Sequence, residues 1–483
     1  MLQGNLDVEV SKICYDSKKA EAGVVFVCVQ GTLQDGHDFV EDAIQNGATA
    51  VLCSKALICQ DGVTVIQTED CRKALSMMSS AFYQNPASKL KLIGITGTKG
   101  KTSTAFMIRS ILQKADIGCG LIGTVMVDTG LRQIDSSQTT PSPLELHQYL
   151  WEMLESGYQW AVMEVSSQAL KQHRVDGIQF DIGIFTNAEE DHIGPLEHES
   201  FDEYLSWKSL LFKQSKIGIV NGDDPYCNDI LDAHCCERVE TFGMNKELDF
   251  YGENLSYIRL EDRFAVEFQT KGLYNIKLVI GGVGVFSAYN AMAAVLAAKE
   301  VGVSDLNLQQ ALTDFVVPGR QEMIFTGFGG IVLVDYAHNG MSLTALLQEL
   351  RRYNPKKITC VFGCGGQRDR NRRFQMGEAA AKYADFSVIT SDNPRNESPT
   401  DIISDIINRM EFFHGNYSVL EDRHEAIAFA VRKSIPGEVV VIAGKGHENY
   451  QLIGNRKLHF DDREEVRNTI EKVNYEQNNH RRN

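Results

Sequence analysis

The chain has 483 residues, a formal net charge of −16, 43% hydrophobic residues and 23% charged residues. This length is too great for a single hydrophobic core and predicts several domains. The acidic balance excludes a general nucleic-acid binder and a protein held to anionic membranes by charge. The eleven cysteines are scattered without a C-x-x-C pair, which predicts reduced thiols and no structural zinc site.

The first twelve residues, MLQGNLDVEVSK, have neither the basic region nor the apolar segment of a signal peptide. No apolar run approaches the roughly 20 residues that a membrane helix needs. We therefore expect a cytoplasmic protein that binds neither membrane nor nucleic acid.

Short apolar runs predict strands that are buried on both faces, as in parallel sheets. The eight runs are KLKLIGITGT (89–98), WAVMEVSS (160–167), FDIGIFTN (180–187), IGIVNGDD (217–224), GIVLVDYAHN (330–339), KKITCVFGCGG (356–366), DFSVITSDNPR (385–395) and GEVVVIAGKGHE (437–448). Helical periodicity separates them, as in STAFMIRSILQKA at 103–115. The alternation predicts doubly wound α/β domains. Boundaries at 84–91 and 316–320 predict three domains, at residues 1–90, 91–318 and 319–483.

The stretch GITGTKGKTST (94–104) connects the first of these strands to a predicted helix that starts near Ser103. A strict P-loop would place a glycine at residue 95, which is isoleucine here, and the glycines are Gly94 and Gly97. A strand, a glycine turn and a helix N-terminus still provide backbone N–H groups for an anion. We predict that Lys101 contacts the outer phosphates of a nucleotide and that Thr102 binds Mg²⁺. A glycine turn without a ligand is the alternative.

Unusual polar residues follow most of the predicted strands. In open parallel sheets, ligands bind beyond the carboxyl ends of the strands. The residues at these ends are Glu164, Asn187, Asp335, His338, Asp392 and Lys445. Glu164 and the pair Asp191-His192 follow neighbouring strands of the predicted ATP domain, where a metal site and structural hydrogen bonding both remain open.

The third predicted domain offers charges of both signs. Its segments QRDRNRR (367–373), DNPR (392–395) and GKGHE (444–448) each follow a predicted strand. Arginine clamps a carboxylate with two hydrogen bonds, whereas Asp and Glu hold an ammonium group. An amino acid carries both charges and fits such a site. For any single arginine, a solvated loop is the alternative.

Read together, these motifs make a recognisable series. In chain order they are YDSKKAEAGVVFVCVQG, DGHDF, GTKGKT, TTPSPLELH, MEVSSQALKQHRVDG, TN…DH, VPGRQE, DYAHN, FGCGGQRDR, DNPR, AGKGHENYQ and FDDRE. Over nearly its whole length, the chain resembles the Mur ligases of peptidoglycan synthesis. It most resembles the members that add the third residue to UDP-N-acetylmuramoyl-L-alanyl-D-glutamate. Four stretches depart from the usual family pattern: Lys18 and Gln168 each replace a family residue, AEEDHIGPLEH surrounds Asp191-His192, and DYAHN continues as NGMS.

The resemblance implies a fold and an activity. The fold would combine a small N-terminal α/β domain for the UDP substrate, a central P-loop-type parallel-sheet ATPase domain and a C-terminal Rossmann-like α/β domain. The enzyme would be an ATP- and Mg²⁺-dependent acid–amino-acid ligase, a cytoplasmic monomer acting on small molecules. It would phosphorylate the D-glutamate side-chain carboxylate, and an incoming amine would then displace phosphate from the acyl phosphate.

In this family the DNPR motif accompanies meso-diaminopimelate. Arg395 could clamp the second carboxylate that diaminopimelate has and lysine lacks. L-lysine as the added residue is the nearest alternative. More distant interpretations are a folylpolyglutamate synthase, a P-loop ATPase acting as a switch or motor, and a homologue that binds substrate without catalysis.

The resemblance also assigns roles to individual residues. The catalytic residues would be Lys101, Glu164, His192, Lys208 and Arg320. The ATP contacts would be Gly97, Thr98, Lys99, Gly100, Lys101, Thr102, Ser103, Asn290, Arg320, Asp335 and His338. The UDP-muramoyl dipeptide would contact Ser17, Thr139, Thr140, Ser167 and Arg174. The added amino acid would contact Arg368, Asp392, Asn393, Arg395, Gly444 and Glu448. The metal would be held by Thr102, Glu164, His192 and Lys208, with Lys208 carbamylated to N6-carboxylysine.

Overall fold

We analysed the protein as a computed structural model, which describes residues 3–5, 7–31, 34–190, 193–194, 197–328 and 330–480, with side chains to residue 476. The chain forms two compact units. The first runs to Phe250 and includes Ala293–Ser304, and the second comprises Tyr251–Met292 and the chain from Asp305 onward. Each unit is described separately.

The first unit begins with a small parallel sheet. Its elements are β1 (Lys12–Cys14), β2 (Val24–Val27), α1 (Val40–Gln45), β3 (Ala50–Cys53), β4 (Thr64–Gln67) and α2 (Cys71–Phe82). The four strands pair in sequence order, and all are parallel. Their Val, Phe and Ile side chains form one apolar core with the two helices. The strands are parallel because each connecting segment returns the chain to the same edge, with helix α1 in the connection between β2 and β3.

A larger sheet follows in the same unit. Its elements are β5 (Lys91–Thr96), α3 (Lys101–Lys114), β6 (Cys119–Ile122), β7 (Met126–Asp128), β8 (Gln133–Asp135), α4 (Pro143–Glu155), β9 (Trp160–Glu164), α5 (Ser167–Lys171), β10 (Phe180–Phe185), α6 (Phe201–Lys213), β11 (Ser215–Asn221), α7 (Cys227–Ala233) and β12 (Arg238–Gly243). The strand order in this unit is β12-β11-β10-β5-β9-β6-β7-β8. The six strands from β12 to β6 are parallel, whereas β7 and β8 are antiparallel. The carboxyl ends of β5, β9 and β10 therefore lie side by side.

The second unit contains the remaining strands. Its elements are β13 (Phe250–Arg259), β14 (Phe264–Gly272), β15 (Lys277–Gly281), α8 (Val285–Val301), α9 (Asp305–Thr313), β16 (Glu322–Phe325), β17 (Ile331–Asp335), α10 (Gly340–Arg351), β18 (Lys357–Phe362), α11 (Asn371–Tyr383), β19 (Phe386–Ile389), α12 (Pro399–Phe412), β20 (Tyr417–Val419), α13 (Arg423–Arg432), β21 (Glu438–Ala443), β22 (Tyr450–Ile453), β23 (Arg456–His459) and α14 (Asp462–His480). Helix α8 and strand β13 cross the boundary between the units. The main sheet has the order β16-β17-β21-β18-β19-β20, parallel except for β16.

All eight predicted strands are present, as β5, β9, β10, β11, β17, β18, β19 and β21. These strands could be predicted from apolar runs because they are buried on both faces: every residue of β21 is buried, and β5 is exposed only at Lys91. Helix α3 is also present, but it begins at Lys101, two residues before the predicted start. Within the described residues, no helix is long and apolar enough to cross a membrane.

Candidate functional site

The glycine turn between β5 and α3 is built for close backbone packing. Gly97 and Gly100 have φ angles of +149° and +85°, which favour glycine. A Cβ atom on Gly97 would lie 2.0 Å from the Oγ1 atom of Thr186. Lys101 folds back over the turn, and its Nζ atom donates to the carbonyl oxygens of Gly97 at 2.8 Å and Thr98 at 3.1 Å. The turn thus forms a compact loop at the N-terminus of α3, the position at which backbone N–H groups can bind phosphate.

The neighbouring strand β10 supports this loop through Asn187. The Lys99 backbone N–H donates to Oδ1 of Asn187 at 2.9 Å, and Nδ2 of Asn187 donates to the Lys99 carbonyl at 2.9 Å. The backbone N–H of Thr98 donates to the Asn187 carbonyl at 2.9 Å. Residues Lys99 and Ser103 lie at the rim of the loop, where Lys99 also pairs with Glu189.

Glu164, at the end of β9, lies directly beside the loop. The Thr102 hydroxyl donates to both Glu164 oxygens, at 3.0 and 2.9 Å. Thr124 adds a backbone N–H bond of 2.7 Å and a hydroxyl bond of 3.2 Å to the same carboxylate. Glu164 is 1% exposed, so its position is fixed. A buried carboxylate and a hydroxyl are oxygen ligands of the kind that Mg²⁺ prefers.

Lys208 extends from α6 into the same loop. It is 1% exposed, its Nζ atom donates to the Gly97 carbonyl at 2.9 Å, and it lies 4.2 Å from the centre of the Tyr204 ring. The other proposed metal ligand, His192, lies outside the described residues. Within the described part of the chain, no group of three His, Cys, Asp or Glu side chains could hold a metal ion. The oxygen donors Thr102 and Glu164 nevertheless fit Mg²⁺, which retains water and phosphate ligands.

The residues expected to contact the UDP-linked substrate all lie in the first unit. Thr140 donates to the Glu164 carbonyl at 2.9 Å, and Thr139 shares a 3.0 Å hydroxyl contact with Thr124. Ser167 contacts Nε2 of His198 at 3.0 Å. Ser17 is buried in a short turn that Asp16 caps. The structure therefore joins Thr139 and Thr140 to the Glu164 region.

Arg174 lines a separate cavity in this unit, together with Tyr15, Arg72, Gln138, Ser142 and Gln172. Its guanidinium donates to the Thr140 carbonyl at 2.6 Å and to Gln172 at 2.7 and 3.1 Å. Burial lowers the pKa of Arg174, and the positive charge of Arg72 lowers it further. Two partly buried guanidinium groups in one cavity favour an anionic ligand.

In the second unit, the segments VPGR and DYAHN lie together. Asp335 accepts hydrogen bonds from the backbone N–H groups of Gln321 and Ala337, both at 2.8 Å. The Arg320 guanidinium lies 4.4 Å from the centre of the Tyr336 ring. Burial raises the pKa of Asp335, and the charge of Arg320 opposes that rise. The loop holding Arg320 is therefore anchored to the end of β17.

His338 and Asn290 are further expected nucleotide contacts. His338 contacts the Tyr336 carbonyl through Nδ1 at 2.9 Å, and its ring lies 4.6 Å from the ring of Tyr336. Asn290 lies on α8 and makes no hydrogen bond to another described side chain. The structure thus brings Arg320, Asp335 and His338 together.

All six residues expected to contact the added amino acid line one cavity of about 120 Å³ in the second unit. Asn393 donates to Oε2 of Glu448 at 3.0 Å, and the fully buried Lys445 donates to both side chains at 3.3 Å. Gly444 has φ +117°, and a Cβ atom there would lie 2.7 Å from Oδ2 of Asp392. The cavity is therefore lined by positive and negative side chains, and the backbone at Gly444 packs closely against Asp392.

Arg395 holds an unusual conformation in this cavity. Its φ is +52°, in the left-handed region that L-residues other than Asn and Asp rarely occupy. Its guanidinium donates to the Gly366 carbonyl at 2.7 Å, and its backbone pairs with the β22–β23 hairpin through Leu452 and Gly454. Among the described residues, no carboxylate pairs with Arg395 or Arg368. Unpaired guanidinium groups in a cavity are available for an anionic ligand.

Comparison with known proteins identifies the family. Residues 9–83 match "Mur ligase family, catalytic domain", residues 95–298 match "Mur ligase middle domain" and residues 319–446 match "Mur ligase, glutamate ligase domain". A Clostridium perfringens protein named UDP-N-acetylmuramoyl-L-alanyl-D-glutamate–2,6-diaminopimelate ligase is 39% identical, over 98% of this chain and 97% of its own. The chain belongs to the Mur ligase family.

Further Mur ligases agree with this assignment. The protein of the same name from Caldanaerobacter subterraneus subsp. tengcongensis is 40% identical over 97% of this chain and 96% of its own. A solved structure of a ligase of that name superposes with a TM-score of 0.70 at 28% identity, covering 97% of each chain. The protein is therefore an ATP-dependent ligase with the three-domain Mur ligase fold, as the sequence predicted.

The structure also places residues at these Mur ligase sites that the sequence analysis did not assign. Arg72 lines two cavities of the first unit, and Thr124 holds Glu164. Arg372, Tyr336 and Cys364 line the amino-acid cavity. Arg372 stood in a recognised arginine run, but its sequence context is the same as that of its neighbours. Arg72 and Thr124 carried no local signal.

Proposed function

We propose that this Mur ligase joins meso-diaminopimelate to the D-glutamate side-chain carboxylate of UDP-N-acetylmuramoyl-L-alanyl-D-glutamate, a step of peptidoglycan precursor synthesis. ATP is converted to ADP and phosphate, and the reaction passes through an acyl phosphate. The names of the relatives support this substrate. The observation that carries the proposal is the amino-acid cavity, in which Arg368 and Arg395 face the same space as Asp392 and Glu448.

The cavity matches the charges of diaminopimelate. This amino acid carries two carboxylates and two ammonium groups, whereas lysine has one carboxylate. Two arginines without a carboxylate partner among the described residues provide one cation for each carboxylate. Asp392 and Glu448 provide anions for ammonium groups. A lysine would leave one guanidinium group of the cavity without an anion, which disfavours it.

The phosphate loop performs the activation step. Backbone N–H groups at the start of α3 and the Lys101 ammonium neutralise the phosphates of ATP. Thr102, Glu164 and a carbamylated Lys208, with His192, would hold Mg²⁺. The ion, when bound, neutralises phosphate charge. Transfer of the γ-phosphoryl group turns one carboxylate oxygen into a leaving group, which an amine can then displace.

The remaining substrate contacts follow from the first unit. Arg174 and Arg72 provide cations for the anionic groups of the UDP-linked dipeptide.

We divide the chain into domains at residues 1–90, 91–318 and 319–483, a division that the three family matches support. We place the enzyme in the cytoplasm as a monomer, since ATP and UDP-linked precursors are cytoplasmic metabolites and all eleven cysteines are free thiols.

An amino-acid panel tests the proposal. The enzyme is supplied with ATP, Mg²⁺ and the UDP-linked dipeptide together with meso-diaminopimelate, L-lysine or D-glutamate. We expect a product of the mass of the diaminopimelate adduct, and phosphate release that requires both substrates. A lysine adduct formed at an equal rate would contradict the choice of amino acid. Phosphate release without either substrate would indicate a plain ATPase.

A further inference from the structure

The arginine run at residues 367–373 separates into two kinds of side chain. Arg370 donates to Asp405 at 2.8 and 2.6 Å. Arg373 donates to Asp405 at 3.0 Å and to Glu397 at 2.6 Å. By contrast, Arg368 and Arg372 line the amino-acid cavity, and no carboxylate of the described residues pairs with either. Two of the four arginines are thus occupied by the fold, and two are available to a ligand.

The available arginines have different neighbours. Arg368 and Arg395 both approach Gly365, where an added Cβ atom would lie 3.8 Å from Cγ of Arg368 and 3.0 Å from Nη1 of Arg395. Both of their charges also act on Tyr450. Arg368 and Arg395 therefore form one group beside Gly365.

Arg372 belongs to another group. It lines one cavity with His338, Tyr336 and Asp392, and its charge acts on His338, as do the charges of Arg320 and Asp392. The His338 ring lies 4.6 Å from the ring of Tyr336, over which Arg320 is stacked at 4.4 Å. Arg372 thus faces the residues expected at the nucleotide, while it lines the same cavity as the amino-acid contacts.

The position of Arg372 in its helix is unfavourable. It lies in the first turn of α11, which contains no acidic residue. A positive charge there opposes the helix dipole. Arg373, in the same turn, is compensated by two carboxylates, but Arg372 is not. An anionic ligand would offset this electrostatic cost.

Besides the two carboxylates of the amino acid, an anionic phosphoryl group takes part in the bond-forming step. Diaminopimelate has two carboxylates, which Arg368 and Arg395 match. The third anion is the phosphoryl group, which is first attached to the acceptor carboxylate and then released as phosphate. We propose that Arg372 is a catalytic residue that binds this phosphoryl group, in the acyl phosphate and in the departing phosphate. The inference rests on the proposed ligase function.

Charge develops on the phosphate as the amide bond forms. The amine nitrogen forms a bond to the acyl carbon, and the bond between that carbon and the phosphate oxygen breaks. The electron pair leaves with the oxygen, and the proton lost by the amine ends on phosphate. Negative charge therefore grows on the departing oxygen. A guanidinium that is paired to the phosphate oxygens stabilises this charge more in the transition state than in the acyl phosphate, so it accelerates the step.

Arg372→Gln tests the proposal, with Arg370→Gln as the matched control from the same run. We expect Arg372→Gln to lower kcat about 100-fold and to change the KM for diaminopimelate by less than about threefold. Arg370→Gln should retain wild-type kinetics, since its guanidinium faces Asp405. Two binding measurements complement the rates. Calorimetric affinity for diaminopimelate without ATP should be unchanged in Arg372→Gln, and the product-inhibition constant of inorganic phosphate should rise about tenfold.

Three outcomes would overturn the proposal: an unchanged kcat, an unchanged phosphate inhibition constant, or a raised KM for diaminopimelate with normal kcat. The last would make Arg372 an amino-acid contact. If Arg372→Gln fails to fold, as judged by circular dichroism and melting temperature, Arg372→Lys replaces it. Lysine keeps the charge but loses the planar fork, so an intermediate kcat is expected and wild-type kcat would count against the proposal. If the wild-type enzyme ligates no amino acid, the proposed function fails instead.

Discussion

Lys101 and Lys208 donate hydrogen bonds to the same oxygen, the carbonyl of Gly97, at 2.8 and 2.9 Å. Two ammonium groups on one carbonyl repel each other, and repulsion is stronger where water is excluded, as at Lys208 with 1% exposure. Carbamylation of Lys208 would replace one cation with an anion. It would then attract Lys101 and could bind a metal ion.

The first prediction concerns this modification. We expect Lys208→Ala to lower kcat about 100-fold, because the metal site loses an anionic ligand. Lys213→Ala, an exposed position on the same helix, is the control and should behave as wild type. Intact mass measured in bicarbonate buffer should show one added CO₂ group in wild type and none in Lys208→Ala. Full activity of Lys208→Ala would exclude a role for the carbamate.

The second prediction separates the hydroxyl of Thr102 from its bulk. Thr102→Val removes the group that contacts both Glu164 oxygens but keeps the side-chain shape. We expect the KM for magnesium–ATP to rise about tenfold or more, because the substitution would remove the proposed metal ligand beside a buried carboxylate. Thr102→Ser keeps the hydroxyl and should remain within about threefold of wild type. Equal KM values for the valine and serine variants would rule out the metal contact.

The third prediction concerns the choice of amino acid. We expect Arg395→Ala to raise the KM for diaminopimelate about 100-fold, because a buried carboxylate loses its guanidinium partner, and to leave the KM for ATP unchanged. L-lysine is the internal control, since it lacks the second carboxylate. Its rate should change little, so the preference for diaminopimelate should collapse. Steady-state kinetics with both amino acids measure the ratio, and an unaltered ratio would remove Arg395 from the specificity pocket.

The fourth prediction concerns His147, which is 1% exposed on α4. Neither ring nitrogen has a hydrogen-bond partner among the described residues, and burial lowers the pKa of His147 to about 4. The unfolded histidine binds a proton near pH 6.5, so stability is full above that pH and is lost as pH falls toward 4. Between pH 7.5 and 4.5 the loss attributable to this group is about 2 kcal/mol.

His147→Leu should remove that part of the pH dependence. Urea unfolding can be followed by tryptophan fluorescence, because Trp151, Trp160 and Trp207 are the only tryptophans and all lie in the same unit as His147. The difference in unfolding free energy between the two pH values should be about 2 kcal/mol smaller in His147→Leu than in wild type. An equal difference in the two proteins would show that His147 does not titrate on unfolding.

Local features of the sequence were enough to predict much of this protein. The strands were predicted because each is a continuous apolar run that is buried on both faces, and α3 was predicted because its apolar residues repeat with the period of a helix. The phosphate loop was predicted because Gly97, Gly100, Lys101 and Thr102 follow a predicted strand, and both glycines have backbone angles that favour glycine. Both signals act over a few residues, so they are readable without a fold. The resemblance to a family then supplied the order of the domains and the reaction.

Local sequence features could not tell apart the roles of charged residues of the same type in one segment, such as the arginines of the run at residues 367–373. Arg370 and Arg372 are two positions apart, yet Arg370 pairs with Asp405, 35 residues away, and Arg372 faces His338. Their difference depends on how α11 packs on α12, since successive positions on a helix point in different directions. Likewise, Lys101 and Lys208 share one oxygen only because α6 packs beside the glycine loop. Periodicity and glycine chemistry are local and are written in the chain, whereas ion pairing and shared contacts arise between distant segments and exist only once the chain has folded.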